Sequence, residues 1–410
     1  MENFNTLLKN YAELAVKIGV NLQKGQTLVI RTPIIAQDFV RLAAKKAYEA
    51  GAKNVIVDWS DEVIGRLKFD MAPDEAFEEF PVWKAKGFEQ LAEEGAAFMS
   101  VSASNPDLLK GVDPKKISTA NKAASAAMKT FMQYQMSSKV SWTIVSVPTP
   151  EWATKVFPDL GKEEAVEALW EKIFQATRVS HGNPVENWKQ HLATLTEKIN
   201  YLNEKEIKSL HYQAPGTDLT IELADQHKWM GGGSPNSKGT YFVPNMPTEE
   251  VFGMPKKTGV NGYVTSTKPL NYGGTLIDQF TLTFEKGRIV DYKAENGEDT
   301  LKHLIETDEG SHYLGEVALV PHHSPISDTG IIFFNTLFDE NASCHLAIGK
   351  AYPFNIKGGS DMTQEELAKL GANDSLTHVD FMMGSAEMSI DATTASGEVI
   401  PLFRNGNWAV

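Results

Sequence analysis

The feature that most restricts what this chain can fold into is a change in the period of its apolar residues near Glu204. Upstream, Phe4, Leu7, Leu8, Tyr11, Leu14 and Ile18 recur at three- and four-residue steps, which predicts an amphipathic helix ending at Gly19. Strands are then expected over 27–30, 54–57, 97–101 and 142–147, separated by a helix over 36–50, a long helical region reaching 91 and a helix over 117–136. This alternation calls for right-handed strand–helix–strand crossovers and a parallel sheet. Helical runs over 163–179 and 185–199 follow. Beyond Glu204 the period becomes two: Leu219, Ile221 and Leu223 alternate with Thr220 and Glu222, and Phe280, Leu282 and Phe284 with Thr281 and Thr283, before a turn at Lys286-Gly287. The expected fold is α/β plus α+β, with an N-terminal parallel-sheet α/β domain over 1–190 and a strand-rich C-terminal metal-binding domain over 191–410.

A parallel sheet invites a nucleotide. No G-x-G-x-x-G or G-x-x-x-x-G-K-[ST] follows any of the predicted strands, however, and the glycines of GGGSPNSKG, 231–239, lie far downstream of them. The net charge of -14 repels polyphosphate and anionic lipid, so neither nucleic acid nor membrane is an expected partner, while an acidic cleft would attract cations or amines. Cys344 is the single cysteine, which excludes a disulfide framework and a zinc finger and points to the cytoplasm. No export signal or run of about eighteen apolar residues is evident.

The chemistry lies in the second half. FDENASCHLAIGKAY, 338–352, gathers Asp339, Glu340, His345 and Tyr352 between apolar flanks. Buried carboxylates are costly unless paired or metal-bound, so this is either a strand and turn whose polar groups cap locally or part of a hydrolytic metal site. In HVD, 378–380, a strand would project His378 and Asp380 from one face about 7 Å apart, as a hydrogen-bonded pair or as two ligands. Glu316 in YLGEVALV is a lone acid in an apolar strand, at a sheet edge or held in a core for function. Glu250 in FVPNMPTEEVF either belongs to the first turn of a helix capped by Thr248 or contributes to the site. His322 and His323 read as surface or packing residues, and Cys344 as a small buried hydrophobe.

Together FVPNMPTEEVF, YLGEVALV, LFDENASCHLAIGKAY and HVDFMMGSAEMSI resemble the thermophilic aminopeptidase family of metallopeptidases, the aminopeptidase T and S type. The likeness spans the chain and is strongest from Tyr241 to Asp391, with one departure at Ala392, where glycine and a turn are expected. The resemblance implies a two-metal aminopeptidase of short peptides, with Glu250, Glu316, Glu340, His345, His378 and Asp380 around two divalent ions per chain and Glu316 bridging them. Four carboxylates and two neutral imidazoles balance two such ions. Zinc, cobalt, manganese and magnesium all suit this set. Glu250 is the candidate proton carrier, or a ligand, and Tyr352 the donor to the developing oxyanion. The family is dimeric, and Trp83, Phe131, Met132, Tyr134 and Trp152 supply more large side chains than one small sheet needs, so a homodimer is expected. An amidase or phosphoesterase using the same ions, or a non-catalytic metal-binding protein, is the alternative.

Overall fold

The computed structural model describes residues 3–103, 105–272 and 275–410. They form two compact units, one of residues 1–190 with 233–247 and the other of residues 191–232 with 248–410.

In the first unit, strands Asn54–Ser60, Thr27–Pro33, Ala97–Ser102 and Trp142–Ser146 lie side by side in that order, all parallel. The opening helix runs Phe4–Leu14 and widens into a π turn, Ala15–Gly19. Gly19 is needed there, because a Cβ would stand 2.9 Å from Thr143 Oγ1 and 3.1 Å from Met246 Sδ. Tyr11, fully buried against Phe39, Trp170 and Phe174, accepts from Ser146 N–H at 3.1 Å, which fastens this helix to the last strand. The helical region expected to reach residue 91 is broken in three: Glu62–Met71, a 3₁₀ turn Asp74–Phe77, and Val82–Glu93. Pro73 and Pro81 stand at the breaks, since proline lacks an N–H and disfavours helix in the residue before it. Of the large side chains singled out above, Phe131 and Trp152 are core, whereas Trp83 is 76% exposed and Met132 lies at the surface. Helix Glu62–Met71 buries no side chain at all, and exposes Val63, Ile64, Leu67 and Met71.

The second unit contains a nine-stranded antiparallel sheet and a five-stranded antiparallel sheet. In strand Thr217–Leu223 burial alternates at every residue, as the period of two requires. Leu219, Ile221, Phe280 and Leu282 from the larger sheet share one core with Val317, Leu319, Leu346, Ile348 and Phe381 from the smaller. Ala392 is fully buried within strand Ser389–Thr394, so no turn occurs there. The five-stranded sheet has the order His378–Met382, His345–Gly349, Leu314–Leu319, Val251–Gly253, Met230–Gly231. With one face committed to the core, strand alternation sends the intervening side chains to the other face.

Candidate metal centre

That second face carries the chemistry. Leu314–Leu319 is the middle strand of five, so Glu316 sits inside the sheet rather than at an edge. Cross-strand register pairs Glu316 with Ala347 and Ala347 with Asp380, and it pairs Ala318 with His345 and Gly349 with His378. Two acids therefore flank an alanine in one row, with a histidine on either side of that row. Ala347, fully buried, leaves room between Glu316 and Asp380 that any longer side chain would fill. Glu250 comes from the residue before strand Val251–Gly253, so MPTEE enters a strand and not a helix. Gly231 permits this approach, because a Cβ there would collide with the Glu250 carbonyl oxygen.

Two groups of ligand atoms result, each within 4.8 Å: Glu250, Glu316 and His345, and Glu316, His378 and Asp380. Glu316 belongs to both. His345 Nε2 is 3.1 Å from Glu250 Oε2 and 3.7 Å from Glu316 Oε1, and His378 Nε2 is 3.9 Å from Glu316 Oε2 and 3.5 Å from Asp380 Oδ1. The far nitrogens are occupied: His345 Nδ1 faces the Ser343 carbonyl at 3.1 Å and His378 Nδ1 the Lys350 carbonyl at 2.7 Å. Donation to a carbonyl fixes one proton on Nδ1 and aims Nε2 at the acids, the orientation from which an ion that displaces the Nε2 proton would be bound. Glu340 adjoins both groups, and its pKa is raised well above the usual range by burial and by the charges of Asp380 and Glu250.

The electrostatics ask for cations. Burial pushes the Glu316 carboxyl up to about 6, with Asp380 and Glu250 adding to the effect. Burial works against charge on His345, yet Glu250 and Glu316 outweigh it and hold the imidazole well above its ordinary range. Burial likewise opposes charge on His378, and Asp380 reverses the balance and takes it to about 9. Among the described residues no Lys or Arg pairs with Glu250, Glu316, Glu340 or Asp380; the basic groups that pair with Glu250, Glu316 and Asp380 are His345 and His378. Asp380 Oδ1 is buried without a hydrogen-bond partner, as an unused ligand atom would be. Oxygen-rich sites with two imidazoles fit divalent ions.

Tyr352 lies beside this cluster, its ring 4.6 Å from that of His378. Burial and the carboxylates of Glu316 and Asp380 push its phenol upward, so it stays a donor at neutral pH. Asp339 does not join the acids. Its carboxylate accepts from Phe333 N–H at 2.8 Å and Asn335 N–H at 3.0 Å, capping the preceding turn. His323 is exposed beside Asp328, and neither His322 nor His323 belongs to either ligand group. Cys344 is buried, its thiol pushed up to about 11 chiefly by burial. Two residues that the sequence does not advertise help to build the site. Ala347 is the spacer, and Asn341 accepts from Glu249 N–H at 2.8 Å, tying the Glu340 turn to the segment bearing Glu250.

Comparison with known proteins gives a consistent result. Residues 4–408 match the family described as thermophilic metalloprotease (M29). The chain is 60% identical to aminopeptidase AmpS of Bacillus subtilis over 409 residues, 100% of each chain, and 54% identical to aminopeptidase 2 of Geobacillus stearothermophilus over 409 residues, 100% of this chain and 99% of that protein. The solved structure of wild-type AmpT from Thermus thermophilus superposes with a TM-score of 0.94 at 44% identity, covering 100% of both chains.

Proposed function

This chain belongs to the thermophilic metalloprotease family (M29) and is a metal-dependent aminopeptidase, and from that premise we propose that it removes the N-terminal residue of short peptides at a two-ion centre. The observation that carries the proposal is the sharing of Glu316 between two ligand groups. Glu250 and His345 would hold one ion, His378 and Asp380 the other, Glu316 both, and Glu340 would complete the set. Zinc, cobalt, manganese or magnesium ions there would polarise a carbonyl and lower the pKa of a water toward about 7.

The remaining work falls to the chain's own groups. Glu250 Oε2 is directed at His345, which leaves Oε1 to take the proton of the attacking water and return it to the leaving amine. Glu250 suits this because it lies half-buried at the margin, whereas Glu316 is buried in the middle strand. The Tyr352 hydroxyl donates to the oxyanion that develops at the scissile carbonyl. The substrate's α-amine, coordinating one ion or meeting an acid outside the ligand set, would restrict cleavage to the first peptide bond.

We further infer a cytoplasmic homodimer. Val63, Ile64, Leu67 and Met71 are all exposed on helix Glu62–Met71, which buries no side chain, and Trp83 is 76% exposed; apolar side chains gathered on one short helix suit an association surface. A single buried, free cysteine accords with a reducing compartment. No helix among the described residues is long and apolar enough to cross a membrane.

The test is hydrolysis of leucyl and arginyl anilides by the purified protein, with and without chelator, beside the same substrates N-acetylated. Metal-dependent cleavage of the free amines alone is expected. Undiminished cleavage after exhaustive dialysis against chelator would overturn the two-ion reading, and equal cleavage of the acetylated substrates would make the enzyme an amidase.

A further inference from the structure

Three aromatic rings form a row that begins at the metal centre. Tyr352 packs on His378 with ring centroids 4.6 Å apart, Phe354 stacks on Tyr352 at 5.1 Å and 9°, and Phe252 meets Phe354 edge-on at 6.1 Å. The row thus starts at one candidate ligand and ends beside another. Phe252 follows Glu250 by two residues, and its register opposite Ala318, itself opposite His345, puts it on the ligand-bearing face of the sheet.

All three rings are half-buried. None joins the main core of the unit or the smaller apolar cluster around Met254 and Ile356. They are nevertheless held firmly. Asn355, 2% exposed, donates from Nδ2 to the carbonyls of Phe252 and Lys228, both at 3.3 Å, and its own carbonyl accepts from Lys228 N–H at 2.7 Å. Ordered aromatic surface that the core does not consume, next to reacting groups, is what an apolar subsite requires.

We propose that the row Tyr352–Phe354–Phe252 receives the side chain of the substrate's N-terminal residue and selects large apolar or aromatic side chains over small ones. The inference rests on the aminopeptidase reading above. In such a substrate the first Cα lies between the α-amine and the scissile carbonyl. Both are held at the centre, so its side chain emerges within reach of the ring that touches His378. The side chain of the second residue lies beyond the scissile bond and farther from this wall.

The experiment measures kcat/KM for phenylalanyl, leucyl and alanyl anilides, and for dipeptides varied at the first or the second position, with the intact metal-loaded enzyme and with Phe354→Ala and Phe252→Ala. The wild-type enzyme should favour phenylalanyl and leucyl substrates, and each variant should lower the phenylalanyl-to-alanyl ratio by roughly tenfold or more, the scale of lost apolar contacts in a specificity pocket. Bound metal per chain should be unchanged, and Phe354→Leu, which keeps apolar bulk, should recover part of the ratio. An unchanged ratio in both alanine variants would overturn the assignment, as would an effect confined to the second position. Should the alanine variants fold poorly, an unaltered preference in Phe354→Leu and Phe252→Leu would overturn it equally. Absence of hydrolysis of every free N-terminus by the wild-type enzyme would instead overturn the aminopeptidase reading, and this proposal with it.

Discussion

Ala347 stands between Glu316 and Asp380 in one cross-strand row, and it is the smallness of this residue that keeps two buried carboxylates facing a shared space. Leucine at this position would project three more carbons into that space. Ala347→Leu should keep the fold, because the neighbouring core-facing side chains are untouched. Metal affinity should fall by roughly 10–100-fold, the range seen when groups supporting a metal site are altered. Metal titration followed by calorimetry checks this, and undiminished affinity would show that the ions do not lie over Ala347.

Glu316 is shared by both ligand groups, so it should matter differently from Glu250. Glu316→Ala should lose both ions and all measurable activity, whereas Glu250→Ala should retain the ion held by His378 and Asp380. Metal analysis of the two purified variants distinguishes them. Two ions per chain in Glu316→Ala would remove this residue from the centre.

Tyr352 keeps its proton at neutral pH and lies against His378. Tyr352→Phe should lower kcat by roughly 100-fold, the cost of losing one oxyanion donor, with metal content intact. An unchanged kcat would leave the ring only its packing role.

Metal removal should also destabilise the protein. Ions that bind only the folded state add about 2.7 kcal/mol at one hundred times their dissociation constant, so chelator should lower Tm and excess zinc or cobalt should restore it. An identical Tm in both conditions would contradict a built metal site.

The exposed apolar side chains of helix Glu62–Met71 predict self-association. Light scattering should give twice the chain mass, and Leu67→Asp with Met71→Asp should shift it toward the monomer. A monomeric wild-type mass would refute the homodimer.

Elements whose signal is local were legible in the sequence. The parallel sheet of the first unit follows from the strand–helix alternation up to residue 147, and the shared face of His378 and Asp380 follows from strand periodicity alone. The motifs around Glu250, Glu316, Glu340, His345 and His378 likewise carried the family resemblance. The breaks at Pro73 and Pro81 are written in the chain as well, because proline interrupts a helix wherever it falls inside one.

Tertiary structure alone decided how these pieces meet, because strand register depends on partners remote in sequence and no local pattern encodes it. Asp339 and Glu340 look equivalent side by side, yet successive side chains of a helical turn point about 100° apart, which gives Asp339 to backbone N–H groups and Glu340 to the acid cluster. Glu250 reaches His345 only because its strand pairs beside the one bearing Glu316. Ala347, unremarkable as a letter, becomes a spacer only when strands on both sides place an acid opposite it. The rings of Phe252 and Phe354 come together only through the turn that Asn355 ties down. Residue type and period determine what each segment can contribute, while the cross-strand pairings, chosen by burial of the opposite face, determine which contributions share a site.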